Sequence, residues 1–190
     1  MNKENDLFHV CSLIEFIGRE RKLRLIEDVA DGASKANSGI VHAGYDALPG
    51  TLKAKYNVEG ARMMSTLCAE LGVPYVPCGA LVIGFSEADR NTLETLLERG
   101  NTNGVPDLKI ISGEEARTLE PSLNPMATCA LLVPGSALVS PYELTFALAD
   151  DAALNGVDFR LNTEVTGLSR LPEGGFRVET SRGVLTARAV

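Results

Sequence analysis

The chain has 190 residues, 45% of them hydrophobic, and a formal net charge of −7 at neutral pH. That length and apolar content suit one ordinary domain or two intimately joined lobes with a sizeable core. The acidic balance argues against nucleic acid or an anionic membrane surface as the main partner, while leaving room for a local positive pocket that takes an anionic substrate.

No run of about eighteen apolar residues occurs, so no membrane-spanning helix is expected. The first residues, Met-Asn-Lys-Glu-Asn-Asp, place acids ahead of a short, broken apolar patch, which does not read as a signal peptide. The four cysteines, Cys11, Cys68, Cys78 and Cys129, form no C-x-x-C pair, and only two histidines accompany them. A zinc or iron–sulfur site is therefore not expected. Buried, reduced thiols in a cytoplasmic protein are the expectation.

In chain order, residues 7–17 are apolar, and their periodicity fits a helix or a strand. Residues 19–24 hold a basic cluster, expected as a solvated face, and residues 23–26 suggest a short strand. Asp31-Gly32 marks a turn. Residues 52–71 predict a helix, because Ala54, Val58, Ala61, Met64 or Ser65, Cys68 and Leu71 recur at three- and four-residue steps. Gly72 stands where that helix stops, with Pro74 beyond it. Met63 and Met64 are expected as core filler. Residues 79–85 read as a strand. Ser86 with Asp89 starts a second helix, carrying Leu93, Leu96 and Leu97 inward and ending near Gly100. Ser112 with Glu115 starts a third, stopped by Pro121.

Residues 127–133 predict a strand and Pro134-Gly135-Ser136 a turn. Ser140-Pro141-Tyr142-Glu143 has a cap, a proline in the first turn and a glutamate three residues on, so a helix is expected from 141 to about 155, with Gly156 as its stop. Residues 157–161, 164–168, 176–180 and 184–190 are strand candidates. Pro172-Glu173-Gly174-Gly175 and Ser181-Arg182-Gly183 supply tight turns between them.

The segment richest in chemistry is Ser34-Lys35-Ala36-Asn37-Ser38-Gly39-Ile40-Val41-His42-Ala43-Gly44-Tyr45-Asp46. Small residues let a backbone approach a flat or phosphorylated ligand closely. Successive amides in such a loop can form an anion-binding concavity. By spacing alone, Asn37-Ser38-Gly39 also reads as an ordinary turn, and Lys35 as a solvated lysine. Lys53 and Lys55 lie at a helix start, where either reaches an anionic substrate or simply faces water. His42 has the side chain best suited to proton transfer near neutral pH.

This segment, with residues 52–59, 79–85, 119–125 and 140–145 in the same order, resembles the FAD-dependent oxidoreductases of the D-amino-acid-oxidase superfamily. The resemblance is nearest to the L-2-hydroxyglutarate oxidases and the anaerobic-type glycerol-3-phosphate dehydrogenases, and runs from about Val29 to Val190. It implies a mixed α/β fold: a partial FAD/NAD(P)-binding-type domain (1–77 and 140–190, with 1–28 atypical) and an inserted, incomplete substrate lobe (78–139). It implies FAD as cofactor, with Ser34, Lys35, Asn37, Ser38 and Gly39 approaching the flavin or its phosphates and the backbone of Val165 meeting its adenine end. It further implies His42 as base or direct substrate contact, and a small anionic hydroxy substrate such as glycerol 3-phosphate or an L-2-hydroxy acid. His9 lies outside the resemblance.

One part of the family pattern is missing. A dinucleotide site of this type uses a strand, then G-x-G-x-x-G, then a helix whose N-terminus holds the pyrophosphate. No G-x-G-x-x-G occurs in these residues. The family's ribose-binding glutamate falls near Arg24, a reversal of charge, and Glu27 substitutes only if the loop is shifted. The chain therefore reads as the middle of a longer enzyme. The alternative is a non-catalytic remnant or interaction subunit that binds no flavin alone, working with a complementing chain if at all.

Overall fold

The computed structural model describes residues 27–190, so the expectations for residues 7–17 and 23–26 fall outside it. The described chain is a mixed α/β fold in two compact units. One is Ser38–Ser140; the described part of the other is residues 27–37 with Pro141–Val190. Strand pairing among the described residues is antiparallel throughout, in three three-stranded sheets.

The Ser38–Ser140 unit runs β1 (Ile40–Val41), α1 (Leu52–Leu71), β2 (Tyr75–Val76), β3 (Ala80–Gly84), α2 (Glu87–Asn103), β4 (Lys109–Ser112), α3 (Gly113–Leu119), β5 (Cys129–Val133) and β6 (Ala137–Val139). Its sheets have the orders β1-β6-β2 and β3-β5-β4. β5 is the centre of the second sheet and of the core. On one face Cys129, Leu131 and Val133 pack with Leu93 of α2, Val58 of α1, Ala43 and Val105. On the other, Ala130 packs with Ile111 and with Ala116 of α3. A strand covered on both faces must be apolar at every position, and Cys-Ala-Leu-Leu-Val is.

The helix boundaries follow local chemistry. Thr51 caps α1 through a bond from the Ala54 amide (3.2 Å), and Gly72 closes it in the left-handed conformation. At α2 the Ser86 hydroxyl accepts from the Asp89 amide, while the Phe85 amide and the Ser86 hydroxyl donate to the Asp89 carboxylate at 2.9 Å each. The Phe85 bond first, then the Ser86 hydroxyl, hold the Asp89 carboxyl below the usual carboxylate range. Ser112 and Glu115 close a reciprocal capping box at α3.

α2 does not end near Gly100 as the sequence suggests. It continues to Asn103 and stops at Gly104. Gly100 is inside the helix because a side chain there would run into Leu108 and would come within 3.2 Å of the Tyr45 backbone. Met63 is not core filler either: it is exposed on the solvent side of α1. Strands β1, β2, β4 and β6 are not anticipated, because two to four residues are too few to complete an alternation.

The other unit contributes α4 (Pro141–Leu154) and the meander β7 (Val165–Arg170), β8 (Phe176–Thr180) and β9 (Gly183–Ala187). α4 begins at the proline and closes at Gly156, whose amide reaches the Ala153 carbonyl while the Val157 amide reaches that of Ala152, both at 3.0 Å. The strand expected over 157–161 does not form. A strand exists by pairing, and no strand among the described residues runs beside this segment.

Gly113, in the first turn of α3, offers a direct stability test. Its amide donates to the Thr128 carbonyl (2.9 Å), and a β-carbon there would overlap the carbonyl of Ala127. Gly113→Ala should lower stability by roughly 1–3 kcal/mol, as overpacking against fixed backbone does. Urea denaturation measures it; a gain of about 1 kcal/mol, as at an open helical position, would contradict the packing described.

Candidate functional site

The structure divides the chemistry-bearing loop at Asn37/Ser38 between the two units. Ser34, Lys35 and Asn37 lie in a turn that bonds to itself. The Lys35 ammonium pairs with Asp31 at 3.1 Å. The Asn37 side-chain amide donates to the carbonyls of Ala33 and Ser34, each at 3.0 Å. The backbone amides of Lys35 and Ala36 both donate to the Gly32 carbonyl (3.2 and 3.3 Å). The lysine, the side-chain amide and these two backbone amides thus all meet oxygens of residues 31–34. Val165, in the same unit, is the half-buried first residue of β7, paired with Thr180.

Ser38, Gly39 and His42 belong to the Ser38–Ser140 unit. Gly39 is buried, and its carbonyl accepts from the Val139 amide at 2.9 Å. β1 then pairs antiparallel with β6, Ile40 opposite Leu138 and Val41 opposite Ala137. Side chains alternate from here onward. Ile40 is 43% exposed and Val41 is 7% exposed. His42 is exposed, and Ala43 is buried in the core against Val58. The imidazole therefore stands on the open side of the strand end, with buried residues before and behind it.

After His42 the chain bends through residues 44–47 and is held by α2. The Asn103 side-chain amide donates to the carbonyls of Gly44 (2.9 Å) and Ala47 (2.7 Å), and the Arg99 guanidinium to that of Asp46 (2.8 Å). Sequence reasoning missed both residues; 53 to 59 positions separate them from their partners. Lys53 approaches the Asp46 carboxylate at 3.4 Å on the surface, and Lys55 lies over the Tyr56 ring. Tyr45 is half-buried; burial first, and the Asp46 charge second, raise its hydroxyl pKa.

Two polar atoms in this neighbourhood are buried and have no partner among the described residues: Asp46 Oδ1 and Ser136 Oγ. Ser136 is 2% exposed and directly precedes Ala137, the partner of Val41. Its backbone carbonyl accepts from the Gly79 amide (2.9 Å). Beside Gly79, Cys78 is exposed, against the expectation of a buried thiol; Cys68 and Cys129 are buried. In the other unit, an open groove is lined by residues 158–163 and by Thr180 and residues 182–185. There Arg160 is paired with Asp158 at 2.8 Å.

Comparison with known proteins gives a consistent picture. Residues 18–190 match the family model described as "FAD dependent oxidoreductase". The chain is 40% identical over 184 residues to a glycerol 3-phosphate dehydrogenase of Caloramator mitchellensis, covering 95% of this chain and 38% of that protein. It is 33% identical over 147 residues to an L-2-hydroxyglutarate dehydrogenase of Escherichia coli, covering 77% of this chain and 34% of that one. Among solved structures, it superposes with a TM-score of 0.80 and 33% identity on the FAD-bound L-alpha-glycerophosphate oxidase of Mycoplasma pneumoniae, over 86% of this chain and 44% of that chain. The chain thus spans under half the length of these relatives.

The described residues fit FAD on one side only. Ser38 and His42 are exposed on either side of the buried Gly39, and small residues here let a flat ring come close to the backbone. The 34–37 turn offers no pyrophosphate cradle, since its lysine, side-chain amide and two backbone amides are engaged within the turn. The chain by itself should therefore bind FAD with a dissociation constant weaker than about 1 μM. Isothermal titration checks this, and a submicromolar affinity would show that a cradle exists.

Proposed function

The chain belongs to the FAD dependent oxidoreductase family, and on that premise we propose that it forms part of an enzyme that dehydrogenates a secondary alcohol carbon. The observation that carries the reading is His42: an exposed imidazole at the end of a paired strand, on a loop whose following carbonyls are held in place. The substrate class is a small anionic hydroxy compound, glycerol 3-phosphate or an L-2-hydroxy acid. That class rests on the relatives, which are named for glycerol 3-phosphate and L-2-hydroxyglutarate.

In this reading the alcohol loses a proton from oxygen and a hydride from carbon, and a carbonyl forms. FAD, when bound, supplies the hydride acceptor. His42 takes the hydroxyl proton, a task for which a histidine suits neutral pH. Ser38 and Gly39 set the distance of approach at the ring. Lys53 and Lys55, at the start of α1, are the candidate cations for the substrate's anionic group, Lys53 lying against Asp46. Residues 78–139 form the substrate lobe, and 1–77 with 140–190 the FAD-binding portion. We place the protein in the cytoplasm; no helix among the described residues is long and apolar enough to cross a membrane.

A second reading has its own support. The self-bonded 34–37 turn favours a chain that binds no flavin alone and acts as an interaction subunit or remnant beside a complementing chain. The colour of the purified protein separates the two, since a flavoprotein is yellow.

In the complete flavoenzyme that contains this chain, His42→Ala should lower turnover by roughly 10²–10⁴-fold, the contribution of a positioned general base. A smaller loss accompanied by weaker flavin retention would reassign His42 to cofactor contact. Turnover and flavin content both unchanged would refute the reading.

A further inference from the structure

We infer that Asn103, assisted by Arg99, is a positioning residue for His42: the end of α2 sets where the imidazole stands. The inference rests on the reading of His42 given above for its chemistry, but its structural content stands apart from that reading.

His42 is tethered from two sides. Upstream, β1 is paired with β6, and the Gly39 carbonyl is bound by the Val139 amide. Downstream, Ala43 is anchored in the core, and then comes a bend belonging to no helix or strand. Three of the four carbonyls of that bend are held by α2. An amide NH₂ has two hydrogens to donate, and Asn103 directs its nitrogen to two carbonyls three residues apart, Gly44 at 2.9 Å and Ala47 at 2.7 Å. Arg99 lies one helical turn earlier on the same face and binds Asp46 between them at 2.8 Å. Gly100, between the two, has no side chain, and that lets the Tyr45 backbone lie against the helix.

These three contacts are side chain to backbone, so they fix the loop's path whatever its own side chains are. The same helix end makes another long-range bond, from the Arg62 guanidinium to the Gly104 carbonyl at 3.0 Å, which does not involve the loop. It supplies a matched control. Loss of Arg62 weakens the α1–α2 contact; loss of Asn103 releases the bend after His42.

The test has two arms. In the first, the chain is labelled with ¹³C and ¹⁵N, and the His42 ring resonance is followed in the wild type and in Asn103→Asp, Asn103→Ala and Arg62→Ala, with the carbonyl ¹³C resonances of Gly44 and Ala47. Asn103→Asp keeps the shape but removes both donors. Both Asn103 variants should move the His42 resonance and the two carbonyl resonances, which lose their donor. Arg62→Ala should leave the His42 resonance where it is. In the second arm, in the complete flavoenzyme, Asn103→Asp should lower kcat by about tenfold with KM nearly unchanged. Combined with His42→Ala it should add little to the loss from His42→Ala alone, because the two act through one group. An unmoved His42 resonance in the Asn103 variants, or an equal shift in Arg62→Ala, overturns the clamp. A double variant whose losses multiply overturns its action through His42. Unchanged turnover in His42→Ala alone, with the resonance shifts as expected, removes the base assignment and leaves the clamp standing.

Discussion

The two-sided burial of β5 is the constraint on which the Ser38–Ser140 unit depends. Leu131 and Val133 are fully enclosed on the face toward α1 and α2, and Ala130 on the face toward α3. A strand in that position cannot shift by one residue without exchanging its two faces, so its register fixes those of β3 and β4 beside it. β6 follows after a three-residue turn, so β5 also delivers Ala137 to Val41 and thereby places β1. The location of His42 is thus a consequence of core packing several residues away. The enclosing face includes Ala43 itself, the residue after His42.

Much of this was legible in the sequence because its chemistry is local. The caps at Ser86 and Ser112, the stops at Gly72 and Gly156, and the apolar run of β5 are written within a few residues of where they act. What could not be read depends on partners distant in the chain. β1 and β2 are strands only because they pair with β6 across 62 to 98 positions; no pattern of two or three residues announces them. Residues 157–161 show the converse: Val157, Phe159 and Leu161 alternate as a strand would, yet no described strand lies alongside to make them one. Gly100 was read as a stop, its usual local meaning, whereas its role is to admit the Tyr45 backbone.

Of the candidate site, the sequence shows the residue types but not where their side chains turn. Ser38 and His42 are exposed and Gly39 is buried. In the 34–37 turn the Asn37 amide bonds to carbonyls of the turn and the lysine finds Asp31 four residues back. A residue list cannot distinguish a donor aimed outward from one folded back. Nor can it reveal the hold of α2 on the loop, which requires Arg99 and Asn103 to meet carbonyls more than fifty positions earlier. The chemistry proposed here therefore depends on backbone placement as much as on the imidazole.

The measurement that bears most directly on this account is the position of His42 in a crystal structure of the complete flavoenzyme holding both FAD and a hydroxy substrate. The account expects an imidazole nitrogen roughly 2.6–3.2 Å from the substrate hydroxyl, on the side of the reacting carbon away from the flavin ring. An imidazole more than about 6 Å from that hydroxyl, with no water bridging the two, would contradict it.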